Sequence, residues 1–146
     1  MYAQTITRPV ARPDRLELAI RAAAVMFALV TAYIHSTLGG LLFTLNAIGF
    51  LVFAVGLLAP IGIVVGARYA PPLRLLVRLG LLGFSAATII GWVLIGARIA
   101  QGYEATTIEV ILVVLMAVDI GRTTGGPISV VRELLLLVPA RLRPTV

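Results

Sequence analysis

With 146 residues, 60% of them hydrophobic and only 12% charged, the chain has too few polar side chains to cover a water-facing surface. Its mean hydropathy of +1.08 puts it among integral membrane proteins. The lack of cysteine excludes disulfides, thiolate-held metals, iron–sulfur clusters, c-type haem attachment and Cys-linked lipids, and a single histidine excludes a His-rich metal cluster within one chain.

The N-terminal stretch carries Arg8, Arg12, Arg15 and Arg21 with Pro9 and Pro13, and residues 1–17 read as a basic cytoplasmic segment. No small-x-small cleavage pattern follows it, so it does not read as a signal peptide. From Ala22 to Ala67 no residue carries a fixed charge. A span takes about 20 residues, so this run holds two spans and a turn. The turn belongs at His35-Ser36-Thr37 and Gly39-Gly40, the polar, turn-prone cluster inside the run. The pattern predicts span one over 18–37, with Arg21 snorkelling to the headgroups. Span two is predicted over 41–65, either ending near Pro60 or bending there, because proline lacks an N–H and clashes one turn back.

Arg68, Pro71-Pro72, Arg74 and Arg78 read as a loop. Residues 79–97 form span three, and residues 103–120 span four, closed by Arg122 and Thr123-Thr124-Gly125-Gly126. In the tail, 122–146, apolar Ile128, Val131, Leu134, Leu135, Val138 and Leu142 recur at helical spacing among Arg132, Glu133, Arg141 and Arg143. That segment is too short and too charged to span. It reads as an amphipathic helix on the membrane surface or as a helix packed under the bundle.

All twelve cations are arginine, and eleven lie in the N-terminus, the 68–78 segment or the tail. Their excess marks the cytoplasmic side. Four spans with both termini in the cytoplasm satisfy that rule, and three or five do not. The net charge of +6 is therefore a topology and anionic-lipid signal, and no nucleic-acid partner is expected. The predicted fold class is all-α: an integral membrane four-helix bundle in a cytoplasmic membrane, with a C-terminal amphipathic interfacial helix. Small residues drive helix association in lipid, and two stripes offer themselves: Ala24, Ala28 and Ala32 on span one, and Gly83, Ala87 and Gly91 on span three. Either serves a compact bundle or a dimer face.

Glu109 and Asp119 stand ten residues apart on span four, about 15 Å along a helix. A hydrocarbon core is about 30 Å thick, so both cannot lie outside it. Asp119, three residues before Arg122, is predicted to form a structural ion pair with it at the cytoplasmic end. Glu109 is either an interfacial group or a buried functional carboxylate. His35 at the outer end of span one and Asn46 about 7.5 Å into span two reach similar depth, as do Tyr33, Thr44, Arg98 and Glu104. If the first three converge, they supply a proton carrier, a group titrating near neutrality and an amide to orient a ligand. Separately, His35 reads as interfacial and Asn46 as an interhelical hydrogen-bonding group. Ser85 and Thr88 are expected to bond back to their own helix. No P-loop, G-x-G-x-x-G, H-E-x-x-H or G-x-S-x-G occurs, and no metal or other cofactor is expected.

Residues 33–47, running from Tyr33-Ile34-His35 through Gly39-Gly40 to Asn46-Ala47, and the segments Gly102-Tyr103-Glu104 and Ile108-Glu109-Val110 resemble a family of small four-span bacterial membrane proteins with similar histidine–glycine–asparagine and tyrosine–glutamate patterns. The resemblance covers about a third of the chain, implies the four-span fold and brings no activity with it. Small multidrug transporters also have four short spans, but their essential acid lies in the first span, where this chain has no carboxylate at depth.

Three functions fit the sequence. The first is a non-enzymatic accessory or structural subunit, in a homo-oligomer or with other membrane subunits. The second is a small proton-linked transporter using Glu109, His35 and Asn46. The third is a membrane redox or lipid-modifying enzyme with a site at the outer surface.

Overall fold

The computed structural model describes residues 14–67, 69–135 and 137. Every regular element among them is helical: α1 (Arg15–Thr37), α2 (Leu41–Leu58), α3 (Ile61–Val65), α4 (Ala70–Ile95), α5 (Ala100–Thr124) and α6 (Pro127–Leu135). α1, α2 and α4 are each long and apolar enough to cross a membrane, which marks the chain as a membrane protein. α5 is of similar length, but Glu104, Glu109, Asp119 and Arg122 interrupt its apolar run.

Local chemistry sets these boundaries. The Asp14 carboxylate caps α1 by accepting from the Glu17 N–H at 2.6 Å. α1 and α2 reverse over Leu38–Gly40, where Gly39 (φ +71°) and Gly40 (φ +87°) take left-handed backbone that side chains disfavour. The run predicted over 41–65 is broken: Ala59, ahead of Pro60, is extended (ψ 136°), as a residue before proline prefers, and only the short α3 follows. α4 starts at Ala70 and not at 79, because Pro71 and Pro72 sit in its first turn, where a missing N–H costs nothing. Arg74 and Arg78 are therefore helical and not in a loop. α5 ends at Gly125, a left-handed cap whose N–H donates to the Gly121 carbonyl. α6 packs against α4 and α5, and the rest of the predicted 127–143 helix, apart from Leu137, lies outside the described residues, as do residues 1–13.

The four long helices pack in a ring: α1 touches α2 and α5, and α4 touches the same two. Among the described residues, Arg15, Arg21, Arg74, Arg78 and Arg122 gather at one end, and Arg98 alone marks the other. Ala24, Ala28 and Ala32 are buried, so the first small-residue stripe faces into the chain and not toward a second copy. Phe50, Leu81, Leu112 and Met116 fill the centre with no exposed surface.

The second stripe is not the close-packed one. A Cβ on Gly83 or Gly91 would meet nothing within 4 Å. The close approach between α2 and α4 is made by other glycines. A Cβ on Gly49 would overlap the Phe84 ring, one on Gly80 would come within 2.5 Å of the Phe53 ring, and one on Gly56 within 3.0 Å of Val77. Each phenylalanine fills the gap left by a glycine on the opposite helix. The two rings also touch each other, with centroids 5.6 Å apart, so neither can move away freely.

Gly49→Ala and Gly80→Ala are therefore expected to lower stability by about 1–3 kcal/mol each, as overpacking does. Gly83→Ala should be neutral or slightly stabilising. Thermal unfolding in detergent, followed by circular dichroism, checks the contrast, and equal melting of all three variants would refute the glycine–phenylalanine seam.

Candidate functional site

At the arginine-poor end the four long helices diverge around a cavity of about 450 Å³. His35, Asn46 and Glu109, predicted to reach one depth, all line it. Each arrives on a different element: His35 in the last turn of α1, Asn46 in the second turn of α2, and Glu109 on the third turn of α5.

His35 and Glu109 meet directly, with Nε2 of the imidazole 2.9 Å from Oε1 of the carboxylate. The pair is 6% and 2% exposed, so both side chains are enclosed by the surrounding helices. The imidazole is near-parallel to two rings, Phe50 (5.7 Å, 8°) and Phe43 (5.9 Å, 23°). Both rings are stacked against the imidazole. With Glu109 ionised, Nε2 must be the donor, since the carboxylate only accepts. The second ring nitrogen, Nδ1, is buried without a hydrogen-bond partner. A buried, unsatisfied nitrogen is costly in a molecule with no other use for it.

The remaining lining is mostly apolar, with Thr88 and Thr106 as further polar groups. Thr88 donates to its own helix, to the Ser85 carbonyl at 2.9 Å, as expected. Ser85 does not: its hydroxyl is fully buried and unpartnered, like that of Thr31, one turn below His35. Trp92 forms one wall. Its N–H donates to the Ala97 carbonyl at 3.1 Å, and its ring lies against Gly102 and meets Tyr103 edge-on at 4.9 Å. Arg98 stacks over that ring at 4.3 Å and donates to the Val93 carbonyl at 2.8 Å, closing α4 from outside the cavity. Tyr33 points away and is 70% exposed, and Thr44, Arg98 and Glu104 are exposed and not part of the lining.

A second polar cluster occupies the arginine-rich end. Arg78 is its hub. Its Nε lies 2.8 Å from Asp119, its Nη2 3.0 Å from Glu17, and its Nη1 donates to the Thr123 hydroxyl at 2.9 Å. Glu17 also pairs with Arg21 at 3.0 Å, so Arg21 is held by an ion pair. The predicted Asp119–Arg122 pair is corrected: Asp119 takes Arg78, and Arg122 reaches Asp14 at 3.3 Å on the surface. Spacing along one helix suggested the wrong partner because Arg78 lies on another. Arg78 shares a buried face with Leu75, Leu81 and Ser85, a pattern that was present in the sequence but hidden by reading the segment as a loop.

Comparison with protein-family models, curated proteins and solved structures yields no match for this chain. Among the described residues no group of three or more His, Asp or Glu is placed to hold a metal ion.

Removing one partner of a buried ion pair costs about 3–5 kcal/mol, whereas an exposed pair is worth about 0–1 kcal/mol. Arg78→Met should therefore destabilise the protein by the larger amount and Arg122→Met by the smaller. In a double-mutant cycle with Asp119→Asn, Arg78 should couple strongly and Arg122 weakly. The reverse ranking would restore Arg122 as the partner.

Proposed function

We propose that the chain is a four-span protein of the bacterial cytoplasmic membrane that binds a small molecule in its outer half, with binding linked to a proton shared by His35 and Glu109. The observation that supports binding most directly is the apolar cavity with its buried His35–Glu109 pair and nearby Asn46. A cavity of this size, mostly apolar with a few convergent polar groups, is the usual form of a small-molecule site. An ionisable pair kept inside a membrane helix bundle is costly, and such groups mark ion or substrate pathways.

Four crossings are supported by pairing across the chain. α5 runs beside α1 from the His35–Glu109 contact to the Asp14–Arg122 contact, so a membrane that α1 crosses is crossed by α5 as well. Glu109 and Asp119 are both paired inside, which is how a charged helix can lie in lipid. The arginine-rich end, with both termini, is then cytoplasmic. α6 exposes Ile128, Val131 and Leu135 beside Arg132, which favours a helix lying on the membrane surface.

The open surface at Gly83 favours a second reading, a non-enzymatic subunit of a homo-oligomer or larger membrane complex. A neighbouring helix can pack closely where no Cβ intervenes.

Native mass spectrometry of protein extracted gently from its own membrane tests both readings. The binding reading expects an added small mass that disappears in Glu109→Gln, while a complex containing another subunit and no small molecule would favour the accessory reading. Topology is checked separately, since the chain has no cysteine of its own. Ser36→Cys should react with an impermeant maleimide on intact cells, and Arg132→Cys only after lysis.

A further inference from the structure

The cavity's own chemistry narrows what it can bind, on the reading that it binds a small molecule at all. Its one anionic group is Glu109, and Asn46, Thr88 and Thr106 add a neutral amide and two hydroxyls. Glu109 is a carboxylate held by a single side-chain hydrogen bond from His35. With Nε2 of the neutral ring donating that bond, Nδ1 carries a lone pair, and this buried nitrogen has no partner. Among the described residues no arginine lines the cavity, and Arg98 is engaged outside it by Trp92 and Val93. A phosphate or carboxylate headgroup would therefore meet Glu109 with no cation to offset the repulsion. Aromatic walls from Phe43, Phe84 and Trp92 complete the lining. Their ring faces attract cations.

Leu42 of α2 and Ala87 and Ile95 of α4 line the cavity and are exposed, Ile95 by 83%, which marks its opening between these two helices. Below them the α2–α4 seam is closed by the Gly49–Phe84 and Phe53–Gly80 contacts. Directly above Phe84 the α4 residues lining the cavity are the small Ala87, Thr88 and Gly91, so the seam opens there as a lateral portal.

We propose that this cavity binds a lipophilic organic cation, an aryl- or alkylammonium or its phosphonium equivalent, entering from the bilayer between α2 and α4 in competition with a proton on His35. Protonation at Nδ1 converts the site from a net negative charge to a neutral imidazolium–carboxylate pair and removes the free lone pair. Cation binding to the protonated site therefore releases one proton. The groups facing His35 leave no other candidate for this dependence. α2 presents no titratable side chain, α4 puts none into the cavity, α5 presents Glu109, and Tyr33, Arg98, Tyr103 and Glu104 are exposed outside the lining.

Trp92 is the chain's one tryptophan and lines the cavity, so its fluorescence reports occupancy. The experiment titrates tetraphenylphosphonium into the detergent-solubilised full chain across a pH series. Saturable binding is expected at about pH 8. As the pH falls the apparent Kd should weaken, approaching about tenfold per pH unit where one proton is displaced per cation bound. Glu109→Gln should lose binding at every pH. His35→Gln, whose amide can still donate to Glu109, should lose the pH dependence of the binding it retains, with melting curves confirming that each variant folds. If His35→Gln does not fold, the wild-type pH profile and Glu109→Gln decide the matter. A wild-type affinity independent of pH, or binding retained in Glu109→Gln, overturns the proposal. So does the absence of a phosphonium response where a short-chain ubiquinone analogue binds instead. If native mass spectrometry finds a bound small molecule and phosphonium does not bind, only the cation assignment falls. If neither gives binding, the small-molecule reading falls with it.

Discussion

A charge cannot face hydrocarbon without a partner, and the packing of this chain follows from that constraint. Every carboxylate on the inner surfaces of α1 and α5 has a specific basic partner: Glu17 and Asp119 meet Arg78, and Glu109 meets His35. These pairs fix the rotation and register of three helices at once. Arg78 ties α4 to both α1 and α5 at one end, and His35 ties α1 to α5 at the other. Van der Waals packing alone leaves apolar helices free to slide in lipid, because the hydrophobic effect no longer distinguishes one apolar contact from another. The ion pairs remove that freedom.

Between the two clusters lies a dry layer of Phe50, Leu81, Leu112 and Met116, each without exposed surface. Glu109 and Asp119 are separated by about 15 Å of helix across this layer. The two ionisable sites therefore sit at opposite ends of an apolar plug and differ in kind. Arg78 engages two carboxylates and a hydroxyl through all three of its guanidinium nitrogens, which suits a permanent strut. The His35–Glu109 pair leaves one ring nitrogen unused and faces open space, which suits exchange.

Much of this was legible in the sequence. Charge-free runs and arginine placement located the long helices, and helical rise put His35, Asn46 and Glu109 at one depth, where they do line one cavity. Rise gives depth but not rotation. The Phe43 and Phe50 rings around His35, and the contact between His35 and Glu109, depended on how the helices turn toward one another, which local spacing does not encode. The errors share that cause. Asp119 was assigned the nearest arginine along its own helix, when the buried partner came from α4. Gly83 and Gly91 were singled out because they stood in a regular stripe, when the glycines that mattered were those facing a phenylalanine on α2 or α4. Reading Pro71-Pro72 as a loop signal, when proline is equally at home in a helix's first turn, hid the helical position of Arg78.

The same glycine–phenylalanine seam that closes α2 against α4 also explains why a cavity exists above it. Phe84 is the last large side chain of α4 to reach across toward α2. Beyond it the inward positions are Ala87, Thr88 and Gly91, until Trp92 turns to cover the end of the helix against Gly102. Small residues that fail to bring two helices together leave room between them, and here that room is lined by His35 and Glu109. A purely structural subunit would gain by filling this space with leucine and by replacing the His35–Glu109 pair with apolar residues of similar volume, since buried ion pairs are commonly neutral or unfavourable relative to such replacements. A chamber lined by a buried His35–Glu109 pair, at a position where packing would favour the opposite, is what gives the binding reading its physical weight over the structural one.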